Sequence, residues 1–242
     1  MNILITGSSG FIGQHLCEAL VQTRDCQILK VNSNTSENEL DEYLQKADFV
    51  YHLAATHRPK DIDDFQRINI DYISRIVNSL ENKFIPCPIV FTSSIQAGNG
   101  SNYGNSKIEG EKIILSYAQK TGVRTHILRL TNTFGKYAKT NHTSVVATFC
   151  YNISHNIPIT INSMNAKINL CYINDVITEL ISYLKLEQST FKCINKDKIF
   201  TTTIGELASD IYKISLNEED CIHDSLYYKY LFETFKWYKE LN

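Results

Sequence analysis

The sequence lacks the patterns that identify several common classes of protein. Its seven cysteines are an odd number without a C-x-x-C pair, and its seven histidines show no metal-ligand spacing, so neither a disulfide framework nor a metal site is expected. The 24 lysines and arginines are balanced by 26 acidic residues and form no basic stripe, which argues against nucleic acid as a partner. No apolar run approaches the length of a membrane span, so no membrane contact is expected.

Glycine (10 residues) and proline (4) are sparse too, but we draw no functional conclusion from that scarcity. The cysteine pattern favours reduced thiols, and no signal peptide is expected before the first apolar run, so the sequence predicts a cytoplasmic protein. With 242 residues, 43% of them hydrophobic, the chain can form one large domain, or one domain with a small lobe.

A strand-to-helix turn rich in glycine opens the chain. The apolar run Ile3–Ile5 breaks at Gly7, and an apolar helical pattern follows. Gly7 suits a tight turn, Gly10 lets backbone approach a pyrophosphate, and Gly13 lets the helix pack on the strand. Such a turn also occurs in α/β proteins that bind no nucleotide, but its context favours a dinucleotide site. The cofactor-binding residues predicted here are Gly7, Gly10, Phe11, Ile12 and Gly13.

Strand-like and helix-like segments alternate along the first half of the chain. The predicted strands are Ile3–Ile5, Cys26–Val31, Phe49–Leu53, Ile89–Phe91 and Thr125–Leu130. The predicted helices lie near 11–22, 37–46, 61–80 and 104–120. Alternation of this kind predicts an α/β fold, a Rossmann-type doubly wound parallel sheet with right-handed crossovers.

The pattern changes after Leu130. The elements predicted there are a helix near 144–155, short strands at 159–161 and 167–171, a helix near 174–186, and one strand with two helices in 190–242. We therefore expect a dinucleotide-binding domain and a small C-terminal substrate lobe. The domain would comprise 1–130 plus about 171–190, and the lobe about 131–170 and 191–242.

A second group of residues points to carbonyl reduction. Tyr103 and Lys107 fit Y-x-x-x-K at the start of a predicted helix, which places both on one face. A reductase needs a proton donor beside the carbonyl, and a nearby ammonium is expected to lower the pKa of the tyrosine. Ser94 ends the fourth strand and could bind the carbonyl oxygen, whereas strand alternation points Ser93 to the other face. The predicted catalytic residues are therefore Ser94, Tyr103 and Lys107.

Cofactor choice depends on the end of the second strand. Asn32 and Ser33 stand where an NAD enzyme commonly has an acidic residue for the ribose 2′-hydroxyl. The arginine that often binds a 2′-phosphate is missing as well. These residues therefore admit either cofactor.

The sequence resembles the extended short-chain dehydrogenase/reductase family, also called the NAD-dependent epimerase/dehydratase family. The matching motifs are Thr6–Gly13, His52–Ala55, Ser94 and Tyr103–Lys107. Longer stretches resemble the family branch that reduces UDP-2-acetamido-2,6-β-L-arabino-hexul-4-ose in capsular polysaccharide synthesis. Those stretches are Asp48–Pro59, Ser93–Ala97, Arg129–Lys136 and Asn141–Cys150.

The resemblance implies an NADPH-dependent reductase, with NADH as an alternative cofactor. It would reduce the C4 ketone of a UDP-linked 2-acetamido-2,6-dideoxy-4-keto-hexose to a UDP-N-acetyl-6-deoxy-L-hexosamine of the L-talo type. It also implies cofactor contacts from Leu53, Ala54 and Ala55 and from the catalytic pair Tyr103 and Lys107, together with a homodimer through the helix that carries Tyr103. The implied substrate contacts are Arg58, Ser94, Asn132, Ser144 and Val145.

For some of these residues a structural role is a serious alternative. An exposed loop arginine is an equally good expectation for Arg58, and an ordinary helix cap is the alternative for Ser144. Asn69 falls where the family has an asparagine, and bracing of the fourth strand is as good an expectation as a role in catalysis.

Several departures from the family pattern qualify this prediction. No cupin domain is expected after the reductase domain, so C3 epimerisation is not assigned and would need a separate cupin-type protein. His57 and Thr131 stand where the branch usually has Asn and Pro, and Lys167–Asn169 offers no arginine for the UDP group. Ser94 is followed by Ile95 with no Asp-Glu pair, which argues against a dehydratase. The alternatives are a nucleotide-sugar epimerase or dehydratase of the same family, and a non-catalytic nucleotide-binding scaffold.

Overall fold

The computed structural model describes residues 1–22, 26–216 and 225–241. Its strands are β1 (Asn2–Thr6), β2 (Gln27–Val31), β3 (Phe49–His52), β4 (Ile89–Ser94), β5 (Thr125–Leu130), β6 (Asn132–Phe134), β7 (Lys167–Tyr172), β8 (Thr190–Cys193) and β9 (Ile199–Thr203). Its α-helices are α1 (Phe11–Val21), α2 (Glu37–Lys46), α3 (Tyr72–Glu81), α4 (Asn102–Thr121), α5 (Val145–Ser154), α6 (Ile173–Ser182), α7 (Ile204–Leu216) and α8 (Leu226–Lys239). A π-helix, Phe65–Asp71, precedes α3, and a 3₁₀ turn, Lys196–Lys198, precedes β9.

The chain divides into two compact units. The first comprises Met1–Leu130 and Ile177–Ile194, and the second comprises Thr131–Val176 and Asn195–Asn242. The later segment of the first unit runs beyond about 190 because β8 pairs with β5 in the large sheet.

The first unit contains a six-stranded sheet in the order β2-β1-β3-β4-β5-β8, in which every pairing is parallel. This sheet, flanked by helices, confirms the predicted α/β Rossmann-type fold. The strand order reverses between β1 and β3, and ligands of such sheets bind outside the carboxyl ends of the strands at that point. The glycine turn and the end of β3 both lie there.

The core beneath this edge explains why α4 lies close to β4. Leu4, Val50 and Phe91 are buried in one apolar cluster with residues of α2, α3 and α4. Gly110 makes the approach possible, because a Cβ there would lie 2.5 Å from the Phe91 ring. The helix that carries Tyr103 is therefore fixed against the sheet by close packing.

The second unit has a smaller sheet in which β7 pairs parallel with β6 and antiparallel with β9. The predicted strand at 159–161 is wrong, since those residues form no strand. Both sides of β7 are already paired, and a run of three residues has no strand character without a neighbour. The single strand predicted in 190–242 is two strands, β8 and β9, and the predicted helix near 61–80 is the π-helix followed by α3.

The described residues contain neither a membrane-spanning helix nor a candidate metal-ion site. No described helix combines the length and the apolar character needed to cross a lipid bilayer. Within the same ranges, no cluster of three or more histidine, cysteine or acidic side chains has the geometry to hold a metal ion.

Candidate active site

The glycine turn leaves no room for side chains. Gly7 has a φ of 68°, and a Cβ there would lie 2.8 Å from the backbone nitrogen of Ala54. A Cβ at Gly13 would lie 2.2 Å from the carbonyl oxygen of Gly7. Gly10 precedes α1 and offers no side chain to cap the first N–H groups of that helix. The turn thus has the shape and the donors that a dinucleotide pyrophosphate requires.

Thr6 joins this turn to the segment after β3. Its hydroxyl accepts hydrogen bonds from the backbone N–H groups of Leu53 and Ala54, both at 3.2 Å. The same oxygen lies 3.0 Å from Nδ1 of the buried His52. The structure therefore brings the predicted residues Leu53 and Ala54, with Ala55 following, beside the glycines.

The residues predicted to select the cofactor follow β2 at the same edge. Ser8 of the glycine turn donates its hydroxyl to the carbonyl of Val31, at 3.0 Å. The Asn32 side-chain oxygen accepts from the N–H of Asn34 at 2.9 Å, and Ser33 is exposed. Asn32 thus shapes its own turn, and Ser33 presents a hydroxyl to solvent.

Ser94, Tyr103 and Lys107, which we call the catalytic group, lie together. The Ser94 side chain lies close enough to the Tyr103 hydroxyl to lower the pKa of that phenol. Lys107 donates from Nζ to the carbonyl oxygen of Thr92 at 2.9 Å, and Nζ lies 5.7 Å from the centre of the Tyr103 ring. Nζ also lies 4.9 Å above the ring of Phe91. A proton donor, a serine and an ammonium thus lie together near the carboxyl end of β4.

The eight residues between Ser94 and Tyr103 form a tight connection. Ser101 caps α4 by accepting from the N–H of Gly104 at 3.0 Å. The Asn99 side-chain oxygen in turn accepts from the Ser101 hydroxyl at 2.7 Å. A Cβ at Gly104 would lie 2.3 Å from the Gln96 carbonyl oxygen, so the first turn of α4 packs directly on this connection.

Burial governs the protonation of the catalytic group. It raises the pKa of Tyr103 to about 12, and the nearby Ser94 side chain opposes this rise only in part. Burial therefore sets the pKa of Tyr103 above its ordinary value, and the predicted lowering by Lys107 does not bring it below that value. Burial also lowers the pKa of Lys107 to about 8, against the attraction of Glu111. Tyr103 is protonated at neutral pH, as a proton donor must be.

Asn69 holds the segment after β3 on α4. Its side-chain amide accepts from the N–H of Thr56 at 2.8 Å and donates to the carbonyl of Thr56 at 2.9 Å. The same amide donates to the Ser106 hydroxyl at 2.9 Å, and Ser106 donates to the carbonyl of Tyr103 at 2.8 Å. Asn69 thus braces this loop instead of the fourth strand.

The loop that Asn69 holds places His57 against Tyr103. The rings of His57 and Tyr103 meet edge to face, with centroids 4.4 Å apart. Sequence reasoning gave His57 only as a departure from the family, without a role. Arg58, the next residue, is exposed.

The other predicted substrate contacts belong to the second unit. Asn132 begins β6 and donates from its side chain to the carbonyl of Asn169 at 3.2 Å. Ser144 caps α5 by accepting from the N–H of Ala147 at 3.2 Å, which is the structural role considered above. Val145 is the first residue of that helix and is half-buried.

Two relatives are each about one third identical in sequence to this chain. UDP-2-acetamido-2,6-beta-L-arabino-hexul-4-ose reductase from Pseudomonas aeruginosa is 32% identical over 213 residues, which cover 88% of this chain and 57% of the relative. The capsular polysaccharide assembling protein CapF from Staphylococcus aureus is 34% identical in its crystal structure, with a TM-score of 0.87 over 98% of this chain and 65% of CapF. The chain therefore spans less than two thirds of the length of either relative.

A more distant structure shows the same fold over a whole chain. UDP-glucuronic acid 4-epimerase from Bacillus cereus, in complex with NAD, is 20% identical, with a TM-score of 0.83 over 99% of both chains. The sequence model of the NAD dependent epimerase/dehydratase family matches residues 3–192, which include the glycine turn and the catalytic group. The chain belongs to the NAD dependent epimerase/dehydratase family.

Proposed function

We propose that this protein is an NADPH-dependent reductase of the C4 ketone of a UDP-linked 2-acetamido-2,6-dideoxy-4-keto-hexose. The product would be a UDP-N-acetyl-6-deoxy-L-hexosamine of the L-talo type, used for surface polysaccharide or glycan synthesis. The observation that carries the proposal is the catalytic group beside a turn shaped for a dinucleotide. The 32% identity to a reductase of this class supports the choice of substrate.

Each residue of the catalytic group has its own role in the proposed carbonyl reduction. A bound dihydronicotinamide supplies the hydride for C4. Ser94 holds the carbonyl oxygen next to the Tyr103 hydroxyl, and Tyr103 gives its proton to that oxygen as the alcohol forms. Lys107 is fixed by the Thr92 carbonyl and the face of Phe91, where its positive charge stabilises the phenolate left behind.

The same edge of the sheet would hold the cofactor. The N–H groups at the start of α1 would bind the pyrophosphate, and Leu53 to Ala55 would contact the cofactor beside it. Asn32 and Ser33 carry no negative charge to repel a 2′-phosphate and so admit either cofactor, and we choose NADPH over NADH because of the family resemblance. A ratio of kcat/KM that favours NADH would reverse this choice.

A direct assay tests the function. The protein is mixed with NADPH and a defined UDP-4-keto-6-deoxy amino sugar, and the loss of reduced nicotinamide is followed by absorbance. We expect one NADPH oxidised for each sugar reduced, with free NADP released, and the product configuration at C4 read by NMR. A 4-epimerase of the same family would interconvert sugars without net loss of NADPH. No oxidation with any 4-keto sugar would leave the scaffold alternative.

The proposal also covers the oligomeric state, the location and the partner protein of the enzyme. We infer a homodimer formed through α4, a cytoplasmic location, and a separate cupin-type protein for any C3 epimerisation. Arg58, Asn132, Ser144 and Val145 stay predicted substrate contacts. Single alanine variants that raise KM for the sugar and leave KM for NADPH unchanged would support these roles.

A further inference from the structure

A buried carboxylate lies one helical turn behind the catalytic lysine. Glu111 on α4 is 3% exposed, so its charge must be met by partners within the protein. Arg129 donates from Nε to one carboxylate oxygen at 2.8 Å and from Nη2 to the other at 2.7 Å. The Ser93 hydroxyl donates to the same carboxylate. These three side chains, which we call the carboxylate anchor, are built around Glu111.

The carboxylate anchor connects the elements that carry the catalytic group. Ser93 directly precedes Ser94 in β4, and Arg129 lies opposite Ser93 in the paired strand β5. Glu111 follows Lys107 by four residues on α4, so both side chains lie on one face of the helix. One carboxylate thus ties the end of β4, its neighbouring strand and the helix that presents Lys107.

Glu111 differs from the other described groups around Lys107 because it carries a negative charge. His52 on β3 lies near Lys107 but is neutral, because burial and then the charge of Lys107 lower its pKa to about 3. Tyr103 on α4 is protonated, and β4 contributes only the carbonyl of Thr92 and the ring of Phe91. Arg129 on β5 is paired with Glu111 through both carboxylate oxygens. Among the described groups facing Lys107, Glu111 is therefore the negative charge that favours its ammonium form.

We propose that Glu111 is a positioning residue of this enzyme. Held by Arg129 and Ser93 one helical turn from Lys107, its carboxylate favours the ammonium form of Lys107 in a buried site. Its consequence for catalysis rests on the proposed reductase function, whereas its effect on Lys107 does not. Glu111 itself touches neither substrate nor cofactor in this scheme.

The first test measures Lys107 directly by NMR titration of the protein with isotope-labelled lysine, with the resonance assigned from Lys107→Arg. In Glu111→Gln we expect the pKa of Lys107 to fall by about one pH unit or more, as expected on loss of a nearby opposite charge. The matched control is Glu109→Gln, which removes an exposed glutamate of the same helix paired with Lys112. A Lys107 pKa in Glu111→Gln equal to that in Glu109→Gln would overturn the proposal.

A double variant keeps the proposal testable if Glu111→Gln alone does not fold. Glu111→Gln leaves the Arg129 guanidinium without its carboxylate, so Glu111→Gln combined with Arg129→Met removes both charges. We expect a smaller fall in the pKa of Lys107 in this double variant, since a guanidinium beyond the carboxylate is lost as well. No fall in a folded double variant would also count against the proposal.

Kinetics then connect the anchor to the proposed reaction. If the reductase assay is positive, the alkaline limb of kcat should move to lower pH in Glu111→Gln, with KM for the sugar little changed. A purely structural role would lower activity at every pH and leave the limb in place. Failure of the reductase assay would refute the proposed function and leave the NMR result to decide the role of Glu111.

Discussion

At the scale of single residues, burial decides what the tyrosine can do. The spacing of Tyr103 and Lys107 and the strand-end position of Ser94 are visible in the sequence, and the structure brings these residues together. Their protonation is not visible there, because it depends on how much water the fold removes. The spacing suggested a lysine that lowers the tyrosine pKa, whereas the folded site raises that pKa to about 12.

Removal of the Tyr103 hydroxyl should slow the reaction strongly and leave cofactor binding intact. Tyr103→Phe keeps the buried ring but has no proton to give, so we expect kcat to fall by roughly 10²- to 10⁴-fold. NADPH affinity, measured by fluorescence titration, should change little. The matched control is Tyr43→Phe, at a half-buried tyrosine of α2 whose hydroxyl donates to Glu39. A Tyr103→Phe variant with activity close to that of the control would exclude Tyr103 as the proton donor.

The pH dependence should follow Lys107. Burial lowers its pKa to about 8, so the ammonium is present below that pH and is lost as the pH rises through it. Since the ammonium stabilises the phenolate of Tyr103, NADPH-dependent reduction should decline above about pH 8. Rates are measured across this range for the wild type and for Lys112→Gln, which changes an exposed lysine of α4. Rates that stay level as the pH rises past this point would contradict the assignment.

At the scale of helices and strands, local signals were enough in the first unit and insufficient in the second. The predicted strands of the large sheet agree closely with β1 to β5 because a short apolar run that alternates with helical patterns is a local feature of the sequence. The strands β6 and β9 were missed since each exists only through its pairing with β7. The hydrogen bond from Asn69 to Ser106 could not be predicted from the sequence either, because the two residues are 37 positions apart.

The contact between α1 and the glycine turn is an element-scale prediction. Gly13→Ala would place a methyl group 2.2 Å from the Gly7 carbonyl oxygen, so α1 must move away from the turn. Alanine is the better helix former, and helix propensity alone would make the variant more stable. We expect the opposite, a loss of about 1–3 kcal/mol of unfolding free energy by denaturant titration, with weaker NADPH binding.

Gly122→Ala serves as its control. Gly122 ends α4 with a φ of 71°, and an added Cβ there meets nothing within 4 Å. This substitution should cost stability through backbone strain alone and leave NADPH affinity unchanged. If Gly13→Ala bound NADPH as tightly as Gly122→Ala, close packing at the turn would not be what the cofactor requires.

At the scale of the whole molecule, the two units are interleaved along the chain. The chain leaves the first unit after Leu130 and returns to it at Ile177, within α6. The first boundary coincides with a change in the strand–helix rhythm, which a sequence can show. The second falls inside α6 and is therefore not marked by the end of an element, whereas the pairing of β8 with β5 shows that the later segment belongs to the first unit.

The proposed homodimer is the prediction at this scale. Leu115 is 45% exposed on α4, the helix through which we infer that two chains pair. A charge there would have to be buried without a partner in the dimer, so Leu115→Glu should shift the protein to a monomer. Size-exclusion chromatography with light scattering measures this directly. Leu186→Glu is the control, since Leu186 is similarly exposed at 37% but lies outside α4. A wild type that is already monomeric at micromolar concentration would refute the dimer, and a dimeric Leu115→Glu would move the interface away from this face.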